Sequence, residues 1–456
     1  MGHAMTAPMP SAGQDTDLVA HQRAYLLKAC RTLMMYGAPT HRLEAYMHAS
    51  AEVLELRVQS FYMPGCMIIS FDDTSADSAA VHIVRCTQEL NLSKLYDVHA
   101  VYKDVVHHRK TVQGATTCLD QIMFEQDKFP PWFRIAMYGL ASAAVGPISH
   151  GARPIDLPII FILGSLVGFL DLVVSHRSEL YGHVLEIAAT VVVSFTARAL
   201  GSIFSGPDRL FCFSALSQAS IVLILPGFII TNSALELQSR NLVSGAVRMV
   251  YGIIYTLFLA FGTTVGATIW GAIDSNAVSD TRCHRTWPFW WQVVFVPPFT
   301  VGYALVNQVK WKKLPAMTIL TLVGWLVNHY ATERFAANPQ VAQIFGALSV
   351  GILANLCSRL GYGLAVALLY PAVYILLPGS FAASGGLLSG VAGANRLTGS
   401  RNDTEVRSGP QTNFPLLQAG YSMIEIAIAL TVGLSMATLV VYPSRRKKGK
   451  SGIFSF

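Results

Sequence analysis

The chain has 456 residues, of which 52% are hydrophobic and only 13% are charged. Soluble domains usually carry about 25% charged residues, so this composition excludes a soluble globular protein over most of the length. The formal net charge is +7, and the only dense basic run is the tail, residues 445–450. A basic cluster beside an apolar segment is attracted to anionic lipid headgroups. We therefore expect the lipid bilayer as a partner and no nucleic acid.

The first 130 residues have the charge content of a soluble domain. Residues 1–17 are polar and lack the apolar stretch of a signal peptide, so we predict a disordered leader and then a cytosolic α+β domain over residues 18–130. The predicted helices are Val19–Tyr36, Arg42–Leu54 with Thr40 as N-cap, Leu92–Val106 and Thr111–Gln126. The predicted strands are Arg57–Met63, Cys66–Phe71 and Ala79–Cys86. The scattered cysteines of this domain suit a reducing compartment and show no metal-ligand spacing.

After Pro130-Pro131 the chain runs through ten apolar stretches, most of them near the ~20 residues that cross a bilayer as a helix. The first half, residues 131–271, contains the predicted spans Phe133–Ser149, Pro154–Val174, Tyr181–Phe204, Phe211–Ser233 and Leu242–Gly271. The second half, residues 289–442, contains Phe289–Val309, Leu314–Tyr330, Val341–Cys357, Tyr362–Ala383 and Ala419–Val441. Residues 272–288 are the predicted extracytosolic loop between the halves, and residues 443–456 are the basic cytosolic tail.

The lysines indicate the orientation of the spans. With ten spans and a cytosolic N-terminus, every lysine after Lys128 falls on the cytosolic side, as the positive-inside rule requires. These residues are Lys310, Lys312, Lys313, Lys447, Lys448 and Lys450. We therefore expect both termini in the cytosol, in either the plasma membrane or the vacuole.

Two similar breaks indicate an internal repeat. Leu225-Pro226-Gly227 lies within the fourth span and Leu377-Pro378-Gly379 within the ninth. Five spans per half is an odd number, so the two halves would be inverted in the membrane, as in many secondary transporters that bind substrate at broken helices. Proline and glycine free backbone carbonyls, which lipid cannot satisfy. A plain helix kink at each proline remains the alternative.

Ionisable side chains inside spans are costly and usually face an internal path. Glu186 and Glu425 are the candidates for carrying a coupled proton. Glu236 and Arg248 flank the connection after the first break, either as a buried ion pair of the site or as an ordinary loop salt bridge. The predicted substrate-binding residues are Pro226, Gly227, Asn232, Glu236, Arg248, Pro378, Gly379 and Ser384. Three further ionisable residues lie close enough to span ends to extend towards the headgroups, namely Asp171, Arg198 and His329.

The chain lacks the phosphate-binding loop of an ATPase and the common metalloprotease and serine-hydrolase motifs. We therefore expect no enzyme activity and no cofactor, and transport would be passive or ion-coupled. The competing hypothesis is a membrane protein for cell-surface or mating- and fusion-related signalling, with the N-terminal domain as its binding module. A homo-oligomer is compatible with either hypothesis.

Several motifs resemble the threonine/serine exporter family, and more closely its fungal pheromone-regulated membrane protein 10 branch. In the N-terminal domain the resemblance rests on residues 36–44, YGAPTHRLE, and residues 91–95, NLSKL. In the membrane it rests on the two Leu-Pro-Gly strings, with Asn232, Glu236, Ser244-Gly245 and Arg248. The resemblance implies export of threonine and serine driven by the proton motive force, as in the bacterial members. It also implies a fused, duplicated membrane domain.

Overall fold

The computed structural model of the chain describes residues 12–73, 78–177, 179–205, 208–274, 276–278, 280, 283, 287–383 and 415–442. Backbone contacts divide it into two compact units, whose described parts are residues 12–126 and 127–442.

In its described residues, the N-terminal unit combines four helices with one antiparallel sheet. The helices are α1 Ala12–Met35, α2 Thr40–Val53, α3 Leu92–Val106 and α4 Val112–Phe124. The strands are β1 Val58–Met63, β2 Cys66–Asp73 and β3 Ser78–Arg85, in the order β1-β2-β3. The turn between β1 and β2 is Pro64-Gly65, with Gly65 in the left-handed region at a φ of 78°, which glycine adopts without a steric cost.

The sheet has one buried and one exposed face, as its alternating residues require. Met67, Ile69 and Phe71 of β2 are at most 1% exposed and belong to the core of this unit. On the other face, Phe61 and Ile83 lie in one cross-strand row and remain 48% and 60% exposed. The N-terminal unit therefore has its own core and leaves one apolar sheet face uncovered.

Helix starts in this unit follow local capping chemistry. Asn91 accepts a hydrogen bond from the backbone N–H of Lys94 and begins α3, and Thr111 accepts one from Gly114 and begins α4. The prediction of Thr40 as an N-cap was wrong, because Pro39 holds the extended cap position and Thr40 is the first, fully buried helical residue. Helix α1 begins at Ala12, inside the predicted leader, whose residues 1–11 lie outside the described part.

The second unit is almost entirely helical. Its first half contains α5 Pro131–Val145 with a π-helical turn Gly146–His150, and α6 Leu157–Phe169 with a π-helical turn Leu170–Val174 and the short α7 Ser175–Arg177. Then come α8 Glu179–Gly201, a two-residue hairpin of β4 Phe204–Ser205 and β5 Asp208–Arg209, α9 Phe213–Ser220, α10 Gly227–Gln238 and α11 Leu242–Ile273. The second half contains α12 Phe289–Val306, α13 Leu314–Arg334, α14 Pro339–Arg359, α15 Ala365–Ala383 and α16 Pro415–Val441.

Within the described residues, six helices are long and apolar enough to cross a membrane, and the bent pair α9–α10 would make a seventh. Residues 365–377 of α15 form a shorter apolar helix. Each predicted span overlaps one of the helices in this unit, although the count of ten spans stays a prediction. The chain is a helical, multi-pass membrane protein.

Close contacts between helices in this unit depend on small residues, as is usual in membranes. A β-carbon on Gly266 of α11 would lie 2.3 Å from the carbonyl oxygen of Val191 in α8. A β-carbon on Gly164 of α6 would lie 2.5 Å from the side chain of Ser142 in α5. Larger residues at these glycines would force the helices apart.

Candidate functional site

The fourth predicted span is broken at the first proline–glycine pair. Helix α9 ends at Ser220, a 3-10 turn covers Val222–Ile224, and Leu225 is extended with φ −62° and ψ 134°. Helix α10 starts again at Gly227, and its axis is bent by 43° from the preceding segment. Because Pro226 has no N–H and Leu225 is extended, the regular helical hydrogen-bond ladder is interrupted here.

The second proline–glycine pair does not break its helix. The backbone of α15 runs as one helix from Ala365 to Ala383, through Pro378 and Gly379, so the prediction of a second break was wrong. Proline inside a membrane helix is tolerated where neighbours satisfy the disturbed backbone groups. Just before the proline, the fully buried Gln343 of α14 donates from Nε2 to the carbonyl oxygen of Leu376, 3.2 Å away, and this bond joins α15 to α14.

The two Leu-Pro-Gly strings nevertheless meet in space. A β-carbon on Gly227 would lie 2.2 Å from Cδ1 of Leu377, so a larger residue at this position would require the Leu377 side chain to shift. The hydroxyl of Tyr374 in α15 donates to the carbonyl oxygen of Leu225, at 3.1 Å. The ring of Tyr370, one turn earlier, packs on Phe228 with centroids 4.5 Å apart. Helix α15 thus covers the break in the fourth span and satisfies one of its exposed carbonyl groups.

Glu236 and Arg248 form an ion pair next to this break. Their closest oxygen and nitrogen atoms are 3.6 Å apart, and the Glu236 side chain is only 1% exposed. A tight turn from α10 into α11 creates this contact, with Arg240 in the left-handed region at a φ of 67°. Gly245 permits the turn, since a β-carbon there would lie 2.8 Å from Leu237. A buried pair of this kind is costly to break from one side.

The other predicted site residues are dispersed. Asn232 of α10 is buried one helical turn before Glu236, so both lie on one face of that helix. Glu186 is half-buried in α8. Glu425 is half-buried in α16, where it accepts a hydrogen bond from Nε2 of Gln340, at 2.9 Å. Ser384 lies outside the described residues.

Two residues assigned to span ends face the protein interior instead. Arg198 is 1% exposed and donates to the carbonyl oxygens of Val278 and Ala267, at 2.8 and 2.6 Å. Asp171 accepts a hydrogen bond from the buried Tyr138 hydroxyl at 2.9 Å. Distance from a span end indicates whether a side chain could reach the headgroups, but not whether a neighbouring helix already provides a partner.

The site residues predicted from the sequence did not include the buried polar residues of α9. Ser217 and Gln218 are 0% and 3% exposed, and Ser217 Oγ and Gln218 Oε1 make no hydrogen bond to the described protein atoms. An unsatisfied buried polar group costs about 1–3 kcal/mol, so such groups need an explanation. The cluster of serine and glutamine in FSALSQAS, shortly before Leu-Pro-Gly, could have indicated these residues from the sequence.

A disulfide also joins two segments of this unit. Cys212, the N-cap of α9, is bonded to Cys283, and their α-carbons are 5.8 Å apart. Next to it, the buried Asp156 carboxylate accepts hydrogen bonds from the backbone N–H groups of Cys212 and Arg153. Nothing in the cysteine spacing indicated this pair, since 71 residues separate the two cysteines.

Comparison with known protein families identifies the family of this chain. Residues 24–270 match a family model described as a threonine/serine exporter, and residues 292–440 match a second threonine/serine exporter model. The first match alone covers more than half of the chain. The chain belongs to the threonine/serine exporter family. This confirms the resemblance that the motifs of both units indicated.

Individual members of the threonine/serine exporter family are similar over nearly the whole chain. Proteins named pheromone-regulated membrane protein 10 are 43% identical in Debaryomyces hansenii and 42% identical in both Candida glabrata and Kluyveromyces lactis. Each alignment covers 96% of this chain, but 43%, 55% and 45% of the respective relative. The chain therefore spans about half the length of the curated relatives it matches. No solved structure gives a significant match.

Proposed function

We propose that the chain is a secondary transporter that exports small amino acids of the threonine and serine type, coupled to protons. The observation that carries this proposal is the broken fourth span, closed by direct contact between Gly227 and Leu377. Broken helices packed against a second helix are the usual substrate site of secondary transporters. Membership of the threonine/serine exporter family suggests the substrate class and a protein without enzyme activity.

The proposed substrate lies at the start of α10. The first turn of this helix presents backbone N–H groups and the positive end of its dipole, which suit the substrate carboxylate. Asn232 and Glu236 lie further along one face of this helix. Glu236 follows Gly227 by nine residues, about 13 Å along the axis, so we assign it to the ammonium group at a separate stage of passage, when it exchanges its ion pair with Arg248 for one with the substrate. Pro378, Gly379 and Ser384 follow Leu377 in the chain, and we propose that they also bind the substrate. This assignment extends the site across both halves.

Protons are the proposed driving ion. Glu186 and Glu425 are carboxylates on helices of the membrane unit and are half-buried. Ionisable side chains inside membrane helices often belong to proton relays. We keep both residues as proton-coupling candidates.

The proposed topology has ten spans in two inverted halves of five, with both termini and the N-terminal unit in the cytosol. Contacts between loops support it, because they join loops predicted on the same side. On the predicted cytosolic side, Gln308 bonds to Phe129 and Arg359 to Val441. On the predicted outer side, the Cys212–Cys283 disulfide fits the oxidising compartment in which such bonds persist.

The test uses the full chain in vesicles preloaded with labelled threonine, with and without an imposed pH gradient. We expect gradient-dependent efflux for the wild type, and loss of efflux for Glu236→Gln because the buried ion pair is broken. Glu333→Gln is the matched control, since that carboxylate is 66% exposed and, among the described residues, pairs with His329 on the same helix. Equal efflux from wild type, Glu236→Gln and protein-free vesicles would refute the proposal.

The signalling hypothesis is a second candidate, favoured by the exposed apolar face of the N-terminal sheet. Phe61, Val81 and Ile83 are 48%, 59% and 60% exposed on this face, and exposed apolar patches often mark binding surfaces. If the protein acts in signalling, deletion of residues 1–126 would abolish its function, whereas Arg248→Ala and Glu425→Gln would be tolerated. Loss of function in those two variants at normal abundance would exclude it.

A further inference from the structure

Asp171 is an ionisable residue in an apolar helical segment of the membrane unit. It belongs to the apolar segment Leu157–Val174, where the described helix is long and apolar enough to cross a membrane. The helix widens at this point into the π-helical turn Leu170–Val174. Such turns are rare and occur frequently at functional sites. An ionisable residue within an apolar segment usually faces the interior of the helix bundle.

The Asp171 carboxylate is held by a buried hydroxyl. Tyr138 of α5 is 5% exposed and donates its O–H to Oδ2 of Asp171, at 2.9 Å. The ring of Tyr138 packs closely on the same helix, where a β-carbon on Gly168 would lie 2.7 Å from it. This contact directs the carboxylate into the unit and away from the lipid.

Asp171 is also connected with the broken span. The Tyr374 hydroxyl, which bonds to Leu225 at the break, lies within electrostatic range of Asp171. Tyr255 of α11 lies within range of both Asp171 and Glu186. A change of charge at Asp171 therefore acts on Tyr374, which contacts the break, and on Tyr255, which also lies within range of Glu186.

The other titratable groups around this turn lie on α5, α8, α11 and α15. Helix α6 has no titratable side chain before Asp171. Arg177 of α7 is exposed, and the side chains of His176 and residues 178–183 lie outside the description. The described groups facing this region are Tyr138 of α5, Glu186 of α8, Tyr255 of α11 and Tyr374 of α15.

We propose that Asp171 is a proton-carrying residue of this transporter. Its carboxylate takes up one proton to become the neutral acid while the unit is open to one side, and releases that proton when the unit opens to the other side. Neutralisation removes the charge that Tyr138 stabilises and changes the field at Tyr374, so protonation is linked to the contact that closes the break. This inference rests on the proposed proton-coupled transport and adds Asp171 to the path that includes Glu186.

The first experiment measures two kinds of transport by the full chain in proteoliposomes. Asp171→Asn should lose efflux driven by a pH gradient but keep exchange of labelled for unlabelled threonine, which needs no net proton movement. Glu333→Gln should keep both. Gradient-driven efflux at the wild-type rate in Asp171→Asn would overturn this inference while leaving the proposed function intact. A wild type inactive in both assays would overturn both.

A second measurement does not require a known substrate. The infrared difference spectrum of the reconstituted protein between acidic and neutral pH contains the carbonyl stretch of each carboxyl group that changes its protonation. We expect one such band to be absent in Asp171→Asn and present in Glu333→Gln. Tyr138→Phe should shift the frequency of the same band, because it removes the hydrogen bond to that carboxyl group. An Asp171→Asn spectrum identical to that of the wild type would overturn the inference.

Discussion

Gly227 and Leu377 lie in direct contact, and a β-carbon on Gly227 would lie 2.2 Å from Cδ1 of Leu377. Each residue belongs to one of the two Leu-Pro-Gly strings, so the contact joins the two halves of the membrane unit at the break in the fourth span. Sequence similarity between the strings thus corresponds to a packing relationship. The contact is also the most direct place to test the proposed site.

We expect Gly227→Ala to destabilise the protein by about 1–3 kcal/mol, as overpacking of a core usually does. Leu377→Ala alone should destabilise it through a cavity. The double variant should be more stable than the sum of the two effects predicts, because the shorter side chain makes room for the new methyl group. Thermal unfolding in detergent measures the three stabilities, and threonine exchange measures function.

The adjacent Leu376 offers a matched control for this cycle. It is 1% exposed, and its Cδ2 lies near Gly346, whereas the three atoms nearest to a β-carbon on Gly227 all belong to Leu377. Coupling between contacting residues is typically about 0.5–3 kcal/mol and small between independent ones. Equal coupling of Gly227→Ala to Leu376→Ala and to Leu377→Ala would contradict the proposed contact.

The disulfide allows a test of topology and stability together. Closure of a loop of 71 residues corresponds to at most about 4 kcal/mol in the chain-entropy view, and to less if the spans persist after unfolding. We therefore expect the Cys212→Ser/Cys283→Ser variant to unfold at a lower temperature than the wild type. Cys357→Ser, which removes a free cysteine, should unfold near the wild-type temperature.

Labelling of intact cells then reports the side of the membrane. After mild reduction, a membrane-impermeant maleimide should label Cys212 and Cys283 from outside. Cys357, at the predicted cytosolic end of its span, should be labelled only after permeabilisation. Labelling of Cys357 in intact cells, with protection of the disulfide cysteines, would reverse the proposed orientation.

Local features were predictable from the sequence where one residue determines the backbone. The helix α3 has the predicted bounds because Asn91 caps it, and the fourth span breaks at Pro226 as expected. Pro378 carries the same local signal, but its helix continues through the proline, and just before it Gln343 of α14 bonds to the Leu376 carbonyl. That bond depends on a residue 33 positions away, which no local pattern encodes. For the same reason the partner of Asp171 and the disulfide could not be predicted.

Acidification should destabilise the N-terminal unit through His99. This residue is 8% exposed and lies between Tyr46 and Tyr102, with ring centroids 5.5 and 5.8 Å away. Burial, reinforced by the positive charges of Lys103 and Arg42, lowers the pKa of His99 from 6.5 to about 3. The unfolded chain therefore binds a proton more readily than the folded one, and stability is lost as the pH falls from 6.5 towards 3.

Pulse proteolysis of this unit in the full chain, across that pH range, measures the effect. His99→Phe keeps a ring in the aromatic cluster but cannot titrate, so its stability should depend less on pH than that of the wild type. The comparison also distinguishes the contribution of His99 to the pH dependence of stability from that of Glu44. Burial raises the carboxyl pKa of Glu44 despite a hydrogen bond from the Tyr62 N–H. Glu44 acts in the opposite direction, since a raised carboxyl pKa favours the folded state at low pH. Identical pH profiles for wild type and His99→Phe would contradict the assignment.

The buried serines of α9 provide a test that separates function from stability. Ser217 Oγ makes no hydrogen bond to the described protein atoms, whereas Ser220 Oγ, also fully buried on the same helix, donates to Leu216 at 2.7 Å. Removal of an unsatisfied buried hydroxyl can stabilise a protein, whereas removal of a satisfied one usually does not. We therefore expect Ser217→Ala to raise the unfolding temperature and Ser220→Ala to leave it unchanged or lower it.

Transport should respond differently in the two variants. A polar group kept unsatisfied at a stability cost is typical of a functional site, so Ser217→Ala should slow threonine exchange despite its greater stability. Ser220→Ala should affect exchange only as far as it reduces the amount of folded protein. Exchange rates normalised to folded protein provide the comparison. A stabilised Ser217→Ala with full exchange activity would mean that α9 supports the break without taking part in binding, and the substrate site would then be confined to α10, α11 and α15.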